Sequence, residues 1–370
     1  MTPLDSRRGV ALCFGQLPDV GSGRTRRLLR LDDPLVAWDA VCSGRPPIEG
    51  VSAQLAAQWR ETAGGLDPAR ELDRHHEAGV GVVTIDEDDY PAALAADRSP
   101  PGLLVWRGDL TILDAVAASI IGTRRCTRYG RDVAFELGAG LSEAGVPVVS
   151  GLALGIDGAA HEGVVSVHGG AGPIAVVAGG LDRVYPRRHA ALWHTVAGAG
   201  VVIAEAPLGV EPVAWRFPAR NRIIAVLGDV LVVVESGFSG GSMHTVRQAD
   251  DRGRLVLAVP GSVRSPASAG TNQLLSEGCG PCRDVDDVLV ALGLVTRPTD
   301  GEPPPATVDE VPLSSDEVAV VDALAAGPTT LEQLLVRTGM STPALAVAVD
   351  ELESRGRLGA RDGWFEVVDS

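Results

Sequence analysis

From Ala115 onward the chain repeats one unit: a short apolar run rich in β-branched residues, a glycine-bearing loop, then a helical stretch. The runs are Ala118 to Ile121, Val146 to Val149, Ile174 to Ala178, Val201 to Ala204, Val230 to Val234 and Leu255 to Val259. Strict polar–apolar alternation would mark a sheet with one wet face, whereas near-continuous apolar runs of this length mark strands buried on both faces. Helices between them supply parallel crossovers. The expected fold class is therefore α/β, a doubly wound, mostly parallel Rossmann-like sheet. Val80 to Ile85 and Leu103 to Trp106 add two strand candidates before the series, with turns at Tyr90-Pro91 and Pro100-Pro101, so this domain is expected over residues 78–295.

The flanks read differently. Within residues 1–77, Arg24 to Cys42 and Val51 to Ala63 have the pattern of two or three short helices, a small N-terminal helical module. Residues 296–314, with Pro303-Pro304-Pro305 and several acids, have the composition of a linker. In residues 315–370, helical spacing recurs over Asp316 to Ala325, Leu331 to Arg337 and Pro343 to Arg355, and Leu358 to Val368 turns at Asp362-Gly363. That order predicts a C-terminal winged helix-turn-helix.

The net charge of −16 argues against a polyanion as partner until it is divided by region. Residues 1–114 hold 12 Arg and 18 acids, residues 115–283 hold 15 Arg and 13 acids, and residues 284–370 hold 5 Arg and 17 acids. The acidity thus sits in the flanks and the centre is slightly basic. All 32 basic residues are arginine, whose planar fork suits bidentate phosphate contacts, although a GC-rich genome gives the same bias. Five cysteines, an odd number in a long chain, suit a reducing compartment. Arg7-Arg8 before the apolar residues 9–15 faintly resembles a secretion signal but has no cleavage-site pattern before Pro18-Asp19. The longest membrane-like stretch, Ile223 to Val234, contains Asp229 and falls short of the roughly 18 apolar residues a span needs. A soluble, cytoplasmic protein without membrane partners is expected.

In a parallel sheet the loops after every strand converge on one edge, where helix N-termini also point and favour anions. Nine of the fifteen central arginines, at positions 124, 125, 128, 183, 187, 188, 216, 220 and 222, fall in or just beyond those loops. Tyr129, Tyr185, Trp215, Phe217 and Phe238 flank them; most such rings are core, but one or two could stack on bases. A basic groove with ring platforms is the combination expected for single-stranded nucleic acid.

Taken in order, the motifs are more specific than any one loop. They run Ser119-Ile120-Ile121-Gly122-Thr123-Arg124 with Tyr129-Gly130, then Ser150 to Asp157 with Ala160-His161, then Gly180-Leu181-Asp182 with Tyr185-Pro186. Phe217-Pro218 with Arg220-Asn221-Arg222-Ile223-Ile224, Gly240-Gly241-Ser242 with Thr245, and Gly253-Arg254 with Val259-Pro260-Gly261 complete the series. Over roughly residues 85–283 this resembles the DprA/Smf family of DNA-processing proteins. The resemblance implies a Rossmann-like core that forms a homodimer, binds single-stranded DNA without sequence preference and loads it with RecA recombinase, notably in natural transformation. It also implies phosphate contacts from Arg124, Arg187, Arg220 and Arg222, with Gly122, Thr123, Asn221 and the Gly240-Gly241-Ser242 turn completing the cradle. Two departures stand out. Arg187 occupies a position usually lysine in the family, and Met243-His244 replaces an aliphatic pair.

Other chemistries weigh less. Asp157 and His161 stand four apart, but a zinc site wants three or four ligands, and Asp157 reads better as a helix cap. Cys279-Gly280-Pro281-Cys282 copies a redox tetrapeptide outside the strand–helix setting that such chemistry needs. Glu205 and Glu235 lie at strand ends, which raises the alternative of a nucleotide hydrolase of the Lonely Guy type; Ser239-Gly240-Gly241-Ser242 only partly echoes that family's loop. The tail's third helix offers Arg355 beside Asp350, Glu351 and Glu353, so the winged helix is expected to meet protein or to shield the groove rather than to read DNA. The expectation is binding without bond chemistry: no catalytic residue, cofactor or metal.

Overall fold

The computed structural model describes residues 2–31, 33–295, 313–324, 329–354, 357–361 and 364–367. The chain forms two compact units, Met1–Arg297 and Pro298–Ser370. Most of the expected linker, Arg355 and the Asp362-Gly363 turn lie outside the described residues.

Five helices open the first unit: α1 (Pro3–Gln16), α2 (Ser22–Leu29), α3 (Pro34–Cys42), α4 (Ala53–Ala63) and α5 (Pro68–Glu77). The sheet then begins with β1 (Gly81–Thr84), α6 (Ala92–Ala95) and β2 (Leu103–Gly108). The alternating series follows as β3 (Ala118–Ile121), α7 (Arg128–Glu143), β4 (Val148–Ser150), α8 (Ile156–Ser166), β5 (Pro173–Val176), α9 (Ala190–Ala199) and β6 (Val201–Ala204). It continues with α10 (Arg216–Leu227), β7 (Val230–Val233), α11 (Gly241–Asp250), β8 (Leu255–Ala258), α12 (Ala269–Ser276), β9 (Gly280–Pro281) and α13 (Val285–Ala291). The nine strands pair in the order β1-β2-β6-β5-β4-β3-β7-β8-β9. From β3 to β9 every pairing is parallel, and β1 and β2 add an antiparallel extension beside β6. The fold is the α/β, mostly parallel sheet that the apolar runs require.

Both faces of the sheet are buried, and alternate residues of one strand serve different cores. Val202 and Ala204 face the core shared with the N-terminal helices, while Val201 and Ile203 face the core that holds Ile223, Ile224 and Val246. Helices α7 and α8 close the first face over β3, β4 and β7. They cross closely because residue 138 is glycine: a Cβ there would overlap the Ala160 carbonyl.

The N-terminal helices share their core with the sheet. Val10, Phe14, Leu28, Trp38, Trp59 and Leu72 pack in one cluster with Val82, Leu103, Val105, Val202 and Ala204. Residues 9–15, leader-like in sequence, are the buried part of α1. Because α1 is enclosed along that stretch, it shows no polar stripe of the kind that marks a surface helix. Helices α1 and α5 were not evident from periodicity. No helix among the described residues is long and apolar enough to cross a membrane.

The second unit is a small winged helix: α14 (Ser315–Leu324), β10 (Thr329–Thr330), α15 (Leu331–Thr338), α16 (Thr342–Ser354), β11 (Leu358–Arg361) and β12 (Trp364–Val367). Its sheet order is β10-β12-β11, and Val320, Leu334, Leu345, Leu352 and Leu358 fill the core.

Candidate nucleic-acid interface

Strands β3 and β7 are neighbours, yet the chain leaves β3 toward β4 and leaves β7 toward β8 on the other side. The sheet's winding therefore reverses between them, and a crevice opens outside their carboxyl ends. A groove of about 740 Å³ occupies this place. Gly122, Thr123 and Arg124 line it after β3, Arg220 and Asn221 from α10, and Gly240, Gly241 and Ser242 at the start of α11. Helices α8, α10 and α11 begin at Gly155, Trp215 and Gly240 without a side-chain cap; the first N–H of α8 donates to the Thr123 carbonyl and that of α10 to the Val213 carbonyl, which leaves the Gly241 and Ser242 N–H groups at the start of α11 as the ones placed for an anion.

Arg124 is exposed, and its guanidinium lies 4.9 Å from the Phe217 ring centre. Phe217 in turn packs against Tyr185, with ring centres 5.3 Å apart and an angle of 55°. Tyr185 is half exposed and also lines the groove. Charge and flat apolar surface are thus side by side, which suits phosphate and base of one nucleotide.

The loop that carries Arg124 is held from below. Glu235, 1% exposed, accepts hydrogen bonds from the Thr127 N–H at 2.8 Å and from Thr127 Oγ1 at 2.6 Å. Its backbone carbonyl accepts from the Thr123 N–H at 2.7 Å. Thr127 also caps α7, its Oγ1 accepting from the Gly130 N–H at 3.2 Å. Glu205 is paired with Arg222. Neither carboxylate lines the groove, so the pair that suggested a nucleotide hydrolase is occupied in shaping the groove's walls.

Arg220 is 5% exposed and forms part of the groove floor. Its Nη1 donates to the Val176 carbonyl at 2.6 Å, and Gly151 makes the space: a Cβ there would overlap the guanidinium. Burial lowers its pKa to about 10, opposed by nearby Asp157, and leaves it fully charged at neutral pH. Asp157 does not cap α8 as expected. The chain turns through Gly155, at φ 83°, which takes the cap position, and the Asp157 carboxylate reaches back to accept from the Gly151 N–H at 3.2 Å. Burial raises the Asp157 pKa, with Arg220 opposing the shift.

Two of the expected phosphate contacts lie outside the groove lining. Arg187 is exposed in the short turn Arg187–His189. Arg222 is 8% exposed, pairs with Glu205 and donates to Ser22 Oγ at 2.8 Å, so it ties α10 to β6 and α2 instead of facing the groove. A residue type gives the charge at a position but not the face of α10 that carries it. Sequence reasoning also missed the Glu235–Thr127 clamp; the acid's place at a strand end was visible, its partner was not.

His161 is fully buried, its Nε2 3.3 Å from the Ile174 carbonyl, and burial lowers its pKa to about 4. Among the described residues no three His, Cys, Asp or Glu side chains gather as a metal would need. Cys279 and Cys282 are free thiols, and burial pushes Cys282 up to about 12, the reverse of an activated redox cysteine.

The model of the family DNA recombination-mediator protein A matches residues 81–293, and that of the DprA winged helix domain matches residues 303–363. A relative from Mycobacterium tuberculosis that bears the DprA name is 36% identical over 355 residues, 92% of this chain and 89% of the relative. Protein Smf of Escherichia coli is 32% identical over 298 residues, 80% of this chain and 78% of its own length. The crystal structure of DNA processing protein A from Streptococcus pneumoniae aligns with a TM-score of 0.60 at 27% identity, covering 78% of this chain and 98% of that one. A structure of DNA processing protein A from Helicobacter pylori, which concerns that protein's single-stranded DNA binding mode, aligns with a TM-score of 0.52 at 28% identity over 58% of this chain and 95% of its own. Family models that cover both units, and relatives that match nearly end to end, show that this chain belongs to the DprA/Smf family of DNA-processing proteins.

Proposed function

We propose that this chain binds single-stranded DNA without sequence preference in the groove between β3 and β7, and as a homodimer delivers the strand to a RecA-type recombinase. The family acts in DNA processing and recombination. The observation that carries the reading is the convergence of the α11 N-terminus, the exposed Arg124 and the Phe217–Tyr185 rings at the point where the sheet's winding reverses. Nothing along the groove requires a particular base: its contacts would be to phosphates and ring faces, which every nucleotide has. Arg124 would take a phosphate directly, Arg220 would add fixed positive charge beneath it, and the Gly240-Gly241-Ser242 turn would offer backbone N–H groups. Gly122 and Thr123 would admit the backbone closely, Asn221 would hydrogen-bond beside them, and Arg187 would meet the strand beyond the groove.

The test is fluorescence anisotropy with a labelled dT oligonucleotide and a duplex, at two salt concentrations. Affinity should fall with salt by about 0.7 log units per neutralised phosphate per log unit of salt, and Arg124→Ala should lower that slope by about one such step. No binding at low salt, or an unchanged slope in the variant, would remove the groove as the site. For the recombinase, the expected result is faster filament assembly on the single strand with the wild-type chain and none of that gain with Arg124→Ala. Natural transformation of the host is the role in which we place this activity, read out as loss of transformants when the gene is deleted.

A further inference from the structure

Arg220 is 5% exposed, and its guanidinium lies against Gly151. Its Nη1 donates to the Val176 carbonyl at 2.6 Å, but Nε and Nη2 have no hydrogen-bond partner among the described residues. Those two atoms form the edge of a guanidinium that grips two oxygens of a phosphate side by side, and buried N–H groups of this kind are normally satisfied. Arg222, two residues on, has Glu205 for a partner. Arg220 has no carboxylate within ion-pair reach among the described residues. Asp157, the acid whose charge acts on it, turns its carboxylate to the Gly151 N–H at 3.2 Å.

A cavity of about 40 Å³ lies beside this guanidinium at the carboxyl ends of β4 and β5, walled by Gly151, Leu154, Val177, Ala178 and Gly179. Arg124, Tyr185, Phe217 and Arg220 line both this cavity and the groove, so the two meet at those residues. Among the described residues no carboxylate lines it, and the third arginine there, Arg183, is paired with Asp182 and Glu211. Arg124 and Arg220 therefore present two charges to one small volume. That volume has room for about three water-sized groups, the number of free oxygens on a terminal phosphate, and too little for a base. A phosphate inside a strand has a sugar on each side and a single charge, whereas a terminal phosphate has one sugar and close to two charges at neutral pH. Resting on the reading of the groove as a single-strand site, we infer that this cavity receives the terminal phosphate of a strand lying in the groove. The chain then holds phosphorylated ends more tightly than bare ones.

The experiment is fluorescence anisotropy of the full chain with three dT oligonucleotides of one length, bearing a 5′ phosphate, a 3′ phosphate or neither, each labelled at an internal base. The wild type should bind at least one phosphorylated strand about tenfold more tightly than the bare one, the factor that charge-assisted hydrogen bonds supply. Arg220→Lys, which keeps the charge but has no planar fork, should bind its three strands alike. Leu154→Trp narrows the cavity from a partly buried position outside the groove lining; it should bind the bare strand as the wild type does and show no preference. Circular dichroism melting curves check that each variant is folded, and Leu154→Trp carries the test if Arg220→Lys is not. Excess dTMP should bring the phosphorylated strand down to the affinity of the bare one, and thymidine should not. Equal binding of all three strands by the wild type, or a preference that survives in either folded variant, would overturn the inference. Release of the bare strand by dTMP would overturn it too, by giving the cavity to a free nucleotide that competes with the strand. If the wild type bound none of the three at low salt, the reading of the groove itself would be at fault.

Discussion

Thr127→Val isolates the support of the groove from its charge. The substitution keeps the side chain's shape and the backbone N–H but removes Oγ1, which caps α7 and donates to Glu235. Losing the cap costs about 1 kcal/mol. Glu235 is 1% exposed, and its Oε1 loses the Thr127 donor, for about 1–3 kcal/mol more. Thr127 itself is exposed, so water relieves part of that second loss. The expected total is about 2–3 kcal/mol, read as a lower urea midpoint at unchanged m-value. DNA affinity should also fall several-fold, since Arg124 sits three residues upstream on the loop the clamp holds. The salt slope should not move, because no charge has been removed. Thr127→Ser, which restores both hydrogen bonds, should recover stability and affinity together. A Val variant within about 0.5 kcal/mol of wild type, or a Ser variant as damaged as Val, would refute the clamp.

His161 and His75 are buried, and burial lowers the pKa of both, to about 4 for His161. The unfolded chain takes up their protons near pH 6.5 while the folded chain resists, so stability is full above that pH and is lost as pH falls below it, down to about 4 for His161, by up to about 1.4 kcal/mol per pH unit for that group. Urea midpoints at pH 7 and 5 should show this, with His161→Gln flattening the difference. Gly138→Ala should lower stability by about 1–3 kcal/mol despite its better helix propensity, because the new Cβ meets the Ala160 carbonyl; a thermal midpoint at or above wild type would contradict the tight crossing of α7 and α8. Incubation with AMP should release no free adenine from the wild type, and Glu235→Gln should change nothing in that assay; release would contradict the structural role given to Glu235.

The strands were legible because each is buried on both faces and writes that fact as an unbroken apolar run. The groove was legible for a related reason: parallel strands send all their following loops to one edge, so Gly122, Arg124, Arg220 and Gly240 could be grouped without knowing a distance. What could not be read were relations between distant residues. Arg222 and Arg220 differ by two positions on α10 and hence face different neighbours, Glu205 and Ser22 for one, Val176 and the groove for the other. The boundary expected at residue 77 followed from a change of pattern, whereas packing joins the two sides of it: His75 accepts at Nε2 from the Leu208 N–H at 3.0 Å, across more than a hundred residues of chain. A pattern of apolar residues says that a helix is covered without naming its cover.

Glycine at position 151 has an effect that reaches beyond the room it makes. By letting the Arg220 guanidinium lie beneath the floor of the groove, it stores positive charge where dissolved ions do not come. Counterions gather on exposed arginines such as Arg124 and blunt them as ionic strength rises, but a charge enclosed by protein atoms keeps most of its field. The groove therefore carries two potentials of different character, one that brine erases and one that it leaves standing. A polyanion seated there would lose affinity along a single slope set by the exposed arginines, while the enclosed one adds to its hold without steepening that slope.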